Sequence, residues 1–217
     1  MEKVLIFDLD GTLADTLDSI LHAINLAAAE FGYTEKRYED VRAAIGNGAR
    51  KLVQRLMPAQ DAQNDERVDS FLKCYNSMYD HTYMEADHCY DGMYETLKEL
   101  KRRGYVIAVL SNKPDVYVCA LADQLLSPDI VSLAHGQREG YPRKPDPAVP
   151  LMMLEELGGS PEAAAFIGDS DVDILTAKNA GMRSVGCDWG YRGREELESC
   201  GADYVISSPE QLLDVFE

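Results

Sequence analysis

Residues 4–12 read Val-Leu-Ile-Phe-Asp-Leu-Asp-Gly-Thr, a short apolar run followed at once by two acids and a glycine. The apolar run predicts a buried β-strand, and the glycine predicts a loop directly after it. In an open parallel sheet such a loop lies at the carboxyl edge, where these folds bind ligands. Asp8 and Asp10 would repel each other there unless a cation neutralised them. The stretch therefore predicts a metal site, an acid–base pair, or both.

Later segments repeat this order of an apolar run followed by polar residues. Residues 105–110 read Tyr-Val-Ile-Ala-Val-Leu before Ser111, and residues 163–167 read Ala-Ala-Ala-Phe-Ile before a glycine and Asp169. A fourth strand is predicted at residues 183–187, and apolar residues at helical spacing occupy segments between the strands. Alternating strands and helices are typical of an α/β fold, here a Rossmann-like parallel sheet core with helices on both faces.

The segment 15–84 lacks strands of this quality and contains helical patterns instead. Apolar residues recur every three or four positions from Leu17 to Phe31, which predicts an amphipathic helix. We therefore expect a small α-helical cap domain at residues 15–84, inserted into an α/β core made of residues 1–14 and 85–217. Because the insertion follows the first strand's loop directly, we expect it to lie over the carboxyl edge of the sheet as a lid.

Composition and charge exclude several classes of protein. The chain has 217 residues, of which 46% are hydrophobic, so it can bury a sizeable core. Its formal net charge of −17 repels phosphate backbones and anionic lipid headgroups. No stretch reaches the roughly 20 apolar residues that a membrane span requires. We expect a cytoplasmic protein with no nucleic-acid or membrane partner, whose 5 cysteines are reduced core residues rather than disulfides or zinc ligands.

The candidate site residues follow strand ends or lie in one further loop, and parallel topology brings such loops together. They are Asp8, Asp10, Ser111, Asn112, Lys144, Asp169 and Asp173. The four acids come close to charge balance with Lys144, one divalent cation and one proton, and a phosphomonoester then adds about −2. An all-oxygen site of this kind suits Mg²⁺. Together these residues indicate a phosphoryl-transfer site.

Four short motifs resemble those of the haloacid dehalogenase-like superfamily of phosphohydrolases. They are Asp8-x-Asp10-Gly11-Thr12, Ser111, Lys144-Pro145 and Gly168-Asp169-Ser170-x-x-Asp173. Their shared order along the chain makes the set much more specific than any one motif. The resemblance covers essentially the whole chain. It implies a Mg²⁺-dependent phosphatase that acts on a small-molecule phosphate ester, as a monomer or homodimer.

The resemblance also implies roles for the acids. Asp8 resembles the nucleophile that attacks phosphorus and becomes an aspartyl phosphate, which water then hydrolyses. Asp10 resembles the general acid and base, and its backbone carbonyl would ligate the metal. Asp169 matches the metal-ligand carboxylate, and Asp173 matches an acid that binds or orients the metal shell. Asp8 would complete the protein ligands.

Two further loops resemble the phosphate-binding part of the family's site. Ser111 resembles the hydroxyl that donates to a phosphate oxygen, supported by the backbone amide of Asn112. Lys144 resembles the cation that holds the nucleophile and the phosphoryl group together, and we count it both as catalytic and as phosphate-binding. For Lys113, directly after Asn112, we expect a solvated charge instead of a site role.

The acid at position 10 indicates phosphate esters, because dehalogenases and phosphonate hydrolases of the superfamily lack it. The cap segment with Gly46, Asn47 and Gly48 is similar to a substrate-contacting loop of phosphoglycolate phosphatases, which favours 2-phosphoglycolate as the substrate. A turn between cap helices would explain the same glycines. β-Phosphoglucomutases and inorganic pyrophosphatases share almost all of these motifs and stay open as alternatives. A non-catalytic binding module is less well supported, because none of the motif acids is missing.

Overall fold

The computed structural model describes residues 2–85 and 87–217. The chain divides into two compact units. One consists of Met1–Asp15 with Cys89–Glu217, and the other of Thr16–His88. The boundaries fall one and four residues beyond those expected from the sequence. The assignment of these units as core and cap stays a prediction.

A six-stranded sheet organises the first unit. Its strand order is β5-β4-β1-β6-β7-β8, and all neighbouring strands are parallel. Its members are β1 (Lys3–Phe7), β4 (Tyr105–Pro114), β5 (Val131–Gln137), β6 (Ala165–Gly168), β7 (Arg183–Cys187) and β8 (Tyr204–Ile206), and a separate two-stranded sheet contains β2 (Ala14–Asp15) and β3 (His88–Cys89). The first strand of the chain is thus central, and the predicted Rossmann-like parallel sheet is confirmed.

Both faces of β1 are covered, which explains its uninterrupted apolar sequence. Val4 and Ile6 belong to a buried cluster with Met153 and Ala177, which come from helices after β5 and β6. Successive residues of a strand point to opposite faces of the sheet, so Leu5 lies on the face opposite to Val4 and Ile6. Leu5 is buried as well. A strand buried on both faces shows no polar alternation. The same property made β4, β6 and β7 recognisable in the sequence.

Six α-helices surround the sheet in the described part of this unit. They are α5 (Met93–Arg102), α6 (Asp115–Leu121), α7 (Ala148–Glu156), α8 (Asp171–Asn179), α9 (Arg194–Ser199) and α10 (Leu212–Val215). A π-helical turn follows α6 at Ala122–Leu126, and short 3₁₀ turns lie at Pro161–Ala163 and Pro209–Gln211. The strand predicted at residues 163–167 begins later than expected. Residue 163 lies in the first of these 3₁₀ turns, and β6 begins at Ala165.

The second unit is helical across the residues described. Its helices are α1 (Leu17–Glu30), α2 (Tyr38–Ala44), α3 (Ala49–Leu56) and α4 (Asp65–Thr82). Phe71 on α4 packs edge-on against Phe31 and Tyr33, with ring centroids 5.1 and 5.3 Å away. Aromatic burial of this kind supplies much of a small unit's stability. No helix in the described chain combines the length and the apolar character needed to cross a membrane.

The cysteines only partly match the sequence-based expectation. All five are free thiols, as expected for reduced residues. Only Cys187, at the end of β7, is buried, whereas the other four are partly exposed. Most of them are therefore not core residues.

Candidate active site

Asp8 lies directly after β1, between the neighbouring strands β4 and β6. Its backbone amide donates to the carbonyl of Ile167 at 2.9 Å, which continues the sheet register up to the acid. Its Oδ1 accepts from the amide of Leu9 at 2.7 Å and forms an ion pair with Nζ of Lys144 at 2.9 Å. The residue is only 8% exposed. The carboxylate is thus fixed by the strand end and by one buried cation.

Lys144 is held at both its ammonium group and its backbone. The ammonium also donates to Oδ1 of Asp173 at 2.7 Å and lies over the ring of Phe166. The Asn112 side chain accepts from the backbone amide of Lys144 at 2.9 Å and donates to its carbonyl at 3.2 Å. Asn112 therefore positions the lysine loop, a role beyond the phosphate contact expected from the sequence.

The start of α8 contributes the other two acids. Oδ2 of Asp173 accepts from the backbone amide of Ser170 at 3.1 Å and from its hydroxyl at 2.6 Å. Together with the contact to Lys144, this engages both carboxylate oxygens of Asp173. Oδ2 of Asp169 accepts from the backbone amide of Tyr191 at 2.7 Å. The local structure thus fixes the orientation of both carboxylates.

Asp10, which is partly exposed, and the buried Lys113 form a second ion pair. Nζ of Lys113 donates to Oδ1 of Asp10 at 2.8 Å, and their side chains are 5% and 15% exposed. The expectation that Lys113 is a solvated charge is therefore wrong. The sequence contained one indication that Lys113 lies at the site, namely its position directly after Ser111-Asn112. β4 continues through these residues to Pro114.

The family model described as haloacid dehalogenase-like hydrolase matches residues 5–187, which include every acid and lysine of the site. The chain belongs to this family. The resemblance inferred from the four motifs is thereby confirmed.

Several proteins that are similar to this hydrolase share one name. Phosphoglycolate phosphatase 1 of Pseudomonas aeruginosa is 33% identical over 216 residues, which cover 98% of this chain and 79% of that protein. Phosphoglycolate phosphatase of Vibrio vulnificus is 33% identical over 217 residues, covering 98% of this chain and 95% of that protein. The crystal structure of a predicted phosphoglycolate phosphatase from Haemophilus somnus has a TM-score of 0.91 at 28% identity, covering 100% of this chain and 98% of that chain. The hydrolase is thus similar to proteins of this name over nearly its whole length.

The electrostatics of the hydrolase site are dominated by burial. Burial raises the pKa of Asp8 to about 6; Lys144 opposes this shift, whereas Asp173 and Asp10 add to it. Burial also raises the pKa of Asp169 well above its usual range, with repulsion from Asp173 and Asp8 adding to the shift. Burial disfavours the charge of Lys144, but attraction to Asp173 and Asp8 outweighs it and raises the pKa of this lysine. The pocket thus has an excess of negative charge.

This excess of negative charge fits a divalent cation. Asp8, Asp169 and Asp173 each offer a carboxylate oxygen, and these atoms lie within 4.8 Å of one another. All the candidate ligand atoms are oxygens, which hard cations such as Mg²⁺ prefer. A bound cation would offset both the burial and the repulsion that raise the pKa of Asp8 and Asp169. The residues present therefore fit the metal that the family implies.

We expect the stability of the protein to change with pH, and the stabilising effect of Mg²⁺ to change with pH as well. In EDTA, the free energy of unfolding should fall as the pH rises from about 4 to about 6, because the pKa of Asp8 changes from an ordinary value of 3.8 to about 6 on folding and the folded state binds more protons in this range. Mg²⁺ should raise Tm clearly at pH 7.5 and much less at pH 5, where protons compete for the same carboxylates. Thermal unfolding monitored by circular dichroism measures both effects.

The variant Asp169→Asn provides the control for that experiment. It removes one candidate ligand carboxylate, and should weaken the rise in Tm caused by Mg²⁺ at pH 7.5. Equal Tm values for the wild type in EDTA and in Mg²⁺ at pH 7.5 would contradict the metal assignment.

Two glycines leave room for the carboxyl group of Asp169. A Cβ on Gly11 would lie 2.5 Å from Oδ2 of Asp169 and 2.8 Å from the ring of Tyr191. A Cβ on Gly190 would overlap both Cβ of Asp169 and the backbone carbonyl oxygen of Gly11. These close approaches require glycine. The loops after β1 and β7 therefore pack directly around this acid.

The substitution Gly190→Ala is expected to destabilise the protein by about 1–3 kcal/mol and to lower phosphatase activity. The new methyl group has no free space and would displace Asp169. Urea unfolding and initial rates of orthophosphate release measure the two effects. Gly104→Ala is the matched control: a Cβ there meets no atom within 4 Å, and its φ of 88° predicts a loss of about 1 kcal/mol in stability with unchanged activity. Wild-type activity of Gly190→Ala would contradict this packing argument.

The remaining predicted site residues lie in two places. Ser111 is buried on β4, where its hydroxyl accepts from the amide of Lys113 at 3.4 Å. Gly46, Asn47 and Gly48 belong to the helical unit, between α2 and α3. Arg55 of α3 donates to the Asn47 side chain at 2.5 Å and to a backbone carbonyl of α2 at 2.8 Å, so the segment has a defined conformation. Contact of this segment with substrate stays a prediction.

Proposed function

We propose that the protein is a Mg²⁺-dependent phosphatase that hydrolyses small phosphate monoesters through an aspartyl phosphate on Asp8. The observation that carries the proposal is the carboxylate of Asp8 at the end of the central strand, paired with Lys144 and adjacent to two further buried acids. A nucleophile at a strand end, with a cation at hydrogen-bond distance, suits attack on an anionic phosphoryl group.

In the first step, an Asp8 carboxylate oxygen forms a bond to phosphorus while the ester P–O bond breaks. The leaving oxygen keeps the electron pair of that bond and takes a proton from the carboxyl group of Asp10. Lys144 stays beside Asp8 and balances the charge on the equatorial phosphoryl oxygens, and Ser111 donates to one of them. The products of this step are the free alcohol and the aspartyl phosphate.

In the second step, water attacks phosphorus and the bond to the Asp8 oxygen breaks. Asp10, now ionised, takes the proton of that water, so each turnover returns it to its starting state. Asp8 regains its carboxylate, and orthophosphate leaves. When bound, Mg²⁺ would neutralise negative charge on the phosphoryl group and fix its orientation.

The charges of the described site residues support this chemistry. Four aspartates, two lysines and one divalent cation sum to zero formal charge. A proton on Asp10 then makes the site positive before substrate binds, which favours a phosphate monoester of about −2 charge. Without Lys113, the same site would be neutral. The second lysine therefore strengthens the argument for an anionic substrate beyond what the sequence motifs provided.

For the substrate we propose 2-phosphoglycolate. The names of the relatives support this choice, since proteins with 33% identity over 98% of the chain are called phosphoglycolate phosphatases. We further propose that the helical unit acts as a cap and that the segment with Gly46 and Gly48 contacts the substrate. Both glycines have positive φ, 112° and 83°, and such a backbone leaves room for a close approach to a small ligand.

The test is orthophosphate release from a panel of phosphate monoesters, with pyrophosphate and β-glucose 1-phosphate included, in Mg²⁺ and in EDTA. A metal-dependent kcat/KM that is highest for 2-phosphoglycolate is expected. Broad turnover of monoesters without this preference would retain the phosphatase and reject the substrate. Preference for pyrophosphate, or isomerisation of β-glucose 1-phosphate without phosphate release, would reject the proposal in favour of the alternatives. Activity that persists after thorough chelation would reject the role of Mg²⁺.

A further inference from the structure

The contribution of Lys113 to the charge of the site does not explain its contact with Asp10. A buried ammonium group is costly unless a counter-charge and hydrogen bonds compensate it. Here the carboxylate of Asp10 lies 2.8 Å from Nζ, and the lysine side chain is only 5% exposed. A lysine that merely improved solubility would keep its charge in water. The burial therefore indicates a function that depends on this particular contact.

The sheet explains how the two residues meet although they are far apart in the chain. β4 pairs with β1 up to the contact between Val109 and Phe7, and then continues to Pro114. This extension carries Lys113 alongside the loop after β1, which holds Asp10. The rigid end of a central strand, rather than a surface loop, thus sets the position of the ammonium group.

The hydrogen-bonding capacity of the Lys113 ammonium group restricts the role of the oxygen that it contacts. An ammonium group has three donors and no acceptor, so the oxygen that it contacts must act as an acceptor. That oxygen is Oδ1 of Asp10. The contact therefore fixes which oxygen of Asp10 faces Lys113.

We propose that Lys113 is a positioning residue that holds the carboxyl group of Asp10 in place through its contact with Oδ1. This inference rests on the proposed function, in which Asp10 exchanges a proton with the ester oxygen and then with water. Asp10 gives its proton to the ester oxygen as the P–O bond breaks and takes one from water in the second step. Lys113 does not exchange protons; besides contributing its charge to the site, it affects the proton transfer through Asp10.

The test is a double-mutant cycle with Lys113→Met and Asp10→Asn, measured on 2-phosphoglycolate and on p-nitrophenyl phosphate in Mg²⁺. Lys113→Met should lower kcat/KM about 10- to 100-fold more for the alkyl phosphate than for the aryl phosphate, because kcat/KM reports only the first step, in which a poor leaving group needs a proton from Asp10. Nitrophenolate leaves without a proton, and the second step, which is the same for both substrates, does not enter this ratio. In the Asp10→Asn background, Lys113→Met should have almost no further effect on kcat/KM for the alkyl phosphate relative to the aryl phosphate.

Two control variants separate positioning from general damage. Lys113→Arg keeps a charged donor and should recover part of the lost kcat/KM. Lys98→Met removes an exposed lysine that pairs with Glu95 at 3.2 Å on α5, and should behave as the wild type. If Lys113→Met alone does not fold, the comparison is made in the Asp10→Asn background, where position 10 carries no charge.

Equal losses for both substrates, or a further large loss in the Asp10→Asn background, would overturn the positioning role. Either result would mean that Lys113 acts independently of Asp10. This outcome differs from failure of the proposed function, in which the wild type itself would release no orthophosphate from any monoester. The wild-type rate on p-nitrophenyl phosphate therefore distinguishes the two failures.

Discussion

Asp8→Asn is expected to lower kcat for phosphate monoesters by about 10⁴-fold or more. The amide has nearly the shape of the carboxylate but is a poor nucleophile, so the covalent intermediate does not form. The fold should survive, because the substitution removes a buried charge whose pKa is already raised by burial. Initial rates of orthophosphate release measure the loss, and acid quenching with ³²P-labelled substrate should label the wild type but not the variant.

Asp171→Asn is the matched control for that variant. Asp171 lies between Asp169 and Asp173 in the sequence and is partly exposed at the start of α8. We give it no role in the reaction, and its substitution should change kcat little. Substantial turnover by Asp8→Asn, or labelling of that variant, would exclude Asp8 as the nucleophile.

Lys144→Met is expected to affect both activity and stability. It leaves the buried carboxylates of Asp8 and Asp173 without their shared cation, which should cost about 3–5 kcal/mol in the free energy of unfolding at pH 8. The cost should be smaller at pH 5, because Asp8, whose pKa is about 6 even beside Lys144, is then largely protonated. Activity should fall about 10²- to 10³-fold, because a donor to the transferring phosphoryl group is lost. Urea unfolding in EDTA at the two pH values and initial rates in Mg²⁺ measure these effects.

Lys144→Arg separates charge from geometry in the same position. It keeps the positive charge and should retain more stability than Lys144→Met. Its planar group does not reproduce a single ammonium shared between Asp8 and Asp173, so activity should still be impaired. Wild-type stability of Lys144→Met at pH 8 would contradict the assignment of Lys144 as the cation that compensates this cluster.

The sequence could predict that the motif acids lie close together, because each motif is local and a parallel sheet brings the ends of its strands to one edge. An apolar run buried on both faces identifies a central parallel strand, and the residues after it must lie at the carboxyl edge. Asp8 and Asp169 were placed together by this rule. Their positions after β1 and β6, which are adjacent in the sheet, agree with it. β5 was not predicted, because its sequence Val-Ser-Leu-Ala-His-Gly-Gln has no continuous apolar run.

The contacts that refine the site could not be predicted in the same way. Asn112 binds the backbone of Lys144, Lys113 binds Asp10, and the amide of Tyr191 binds Asp169. In each case the partner is distant in the chain, and neither residue type is unusual at its own position. Local propensity carries no information about such pairs, whereas side-chain packing at the sheet edge determines them.

The central position of β1 has a consequence for synthesis of the chain. During synthesis, β1 has no neighbour in its sheet until β4 and then β6 follow, whereas the segments of the helical unit at Thr16–His88 are complete earlier. An apolar strand without partners is open to pairing with other chains. Nascent chains that end before about residue 105 would thus expose the segment around Asp8, and the hydrogen bond to Asp169 must wait until Tyr191 has emerged. The site is therefore completed late in translation, although the proposed nucleophile is made before every other residue of the site.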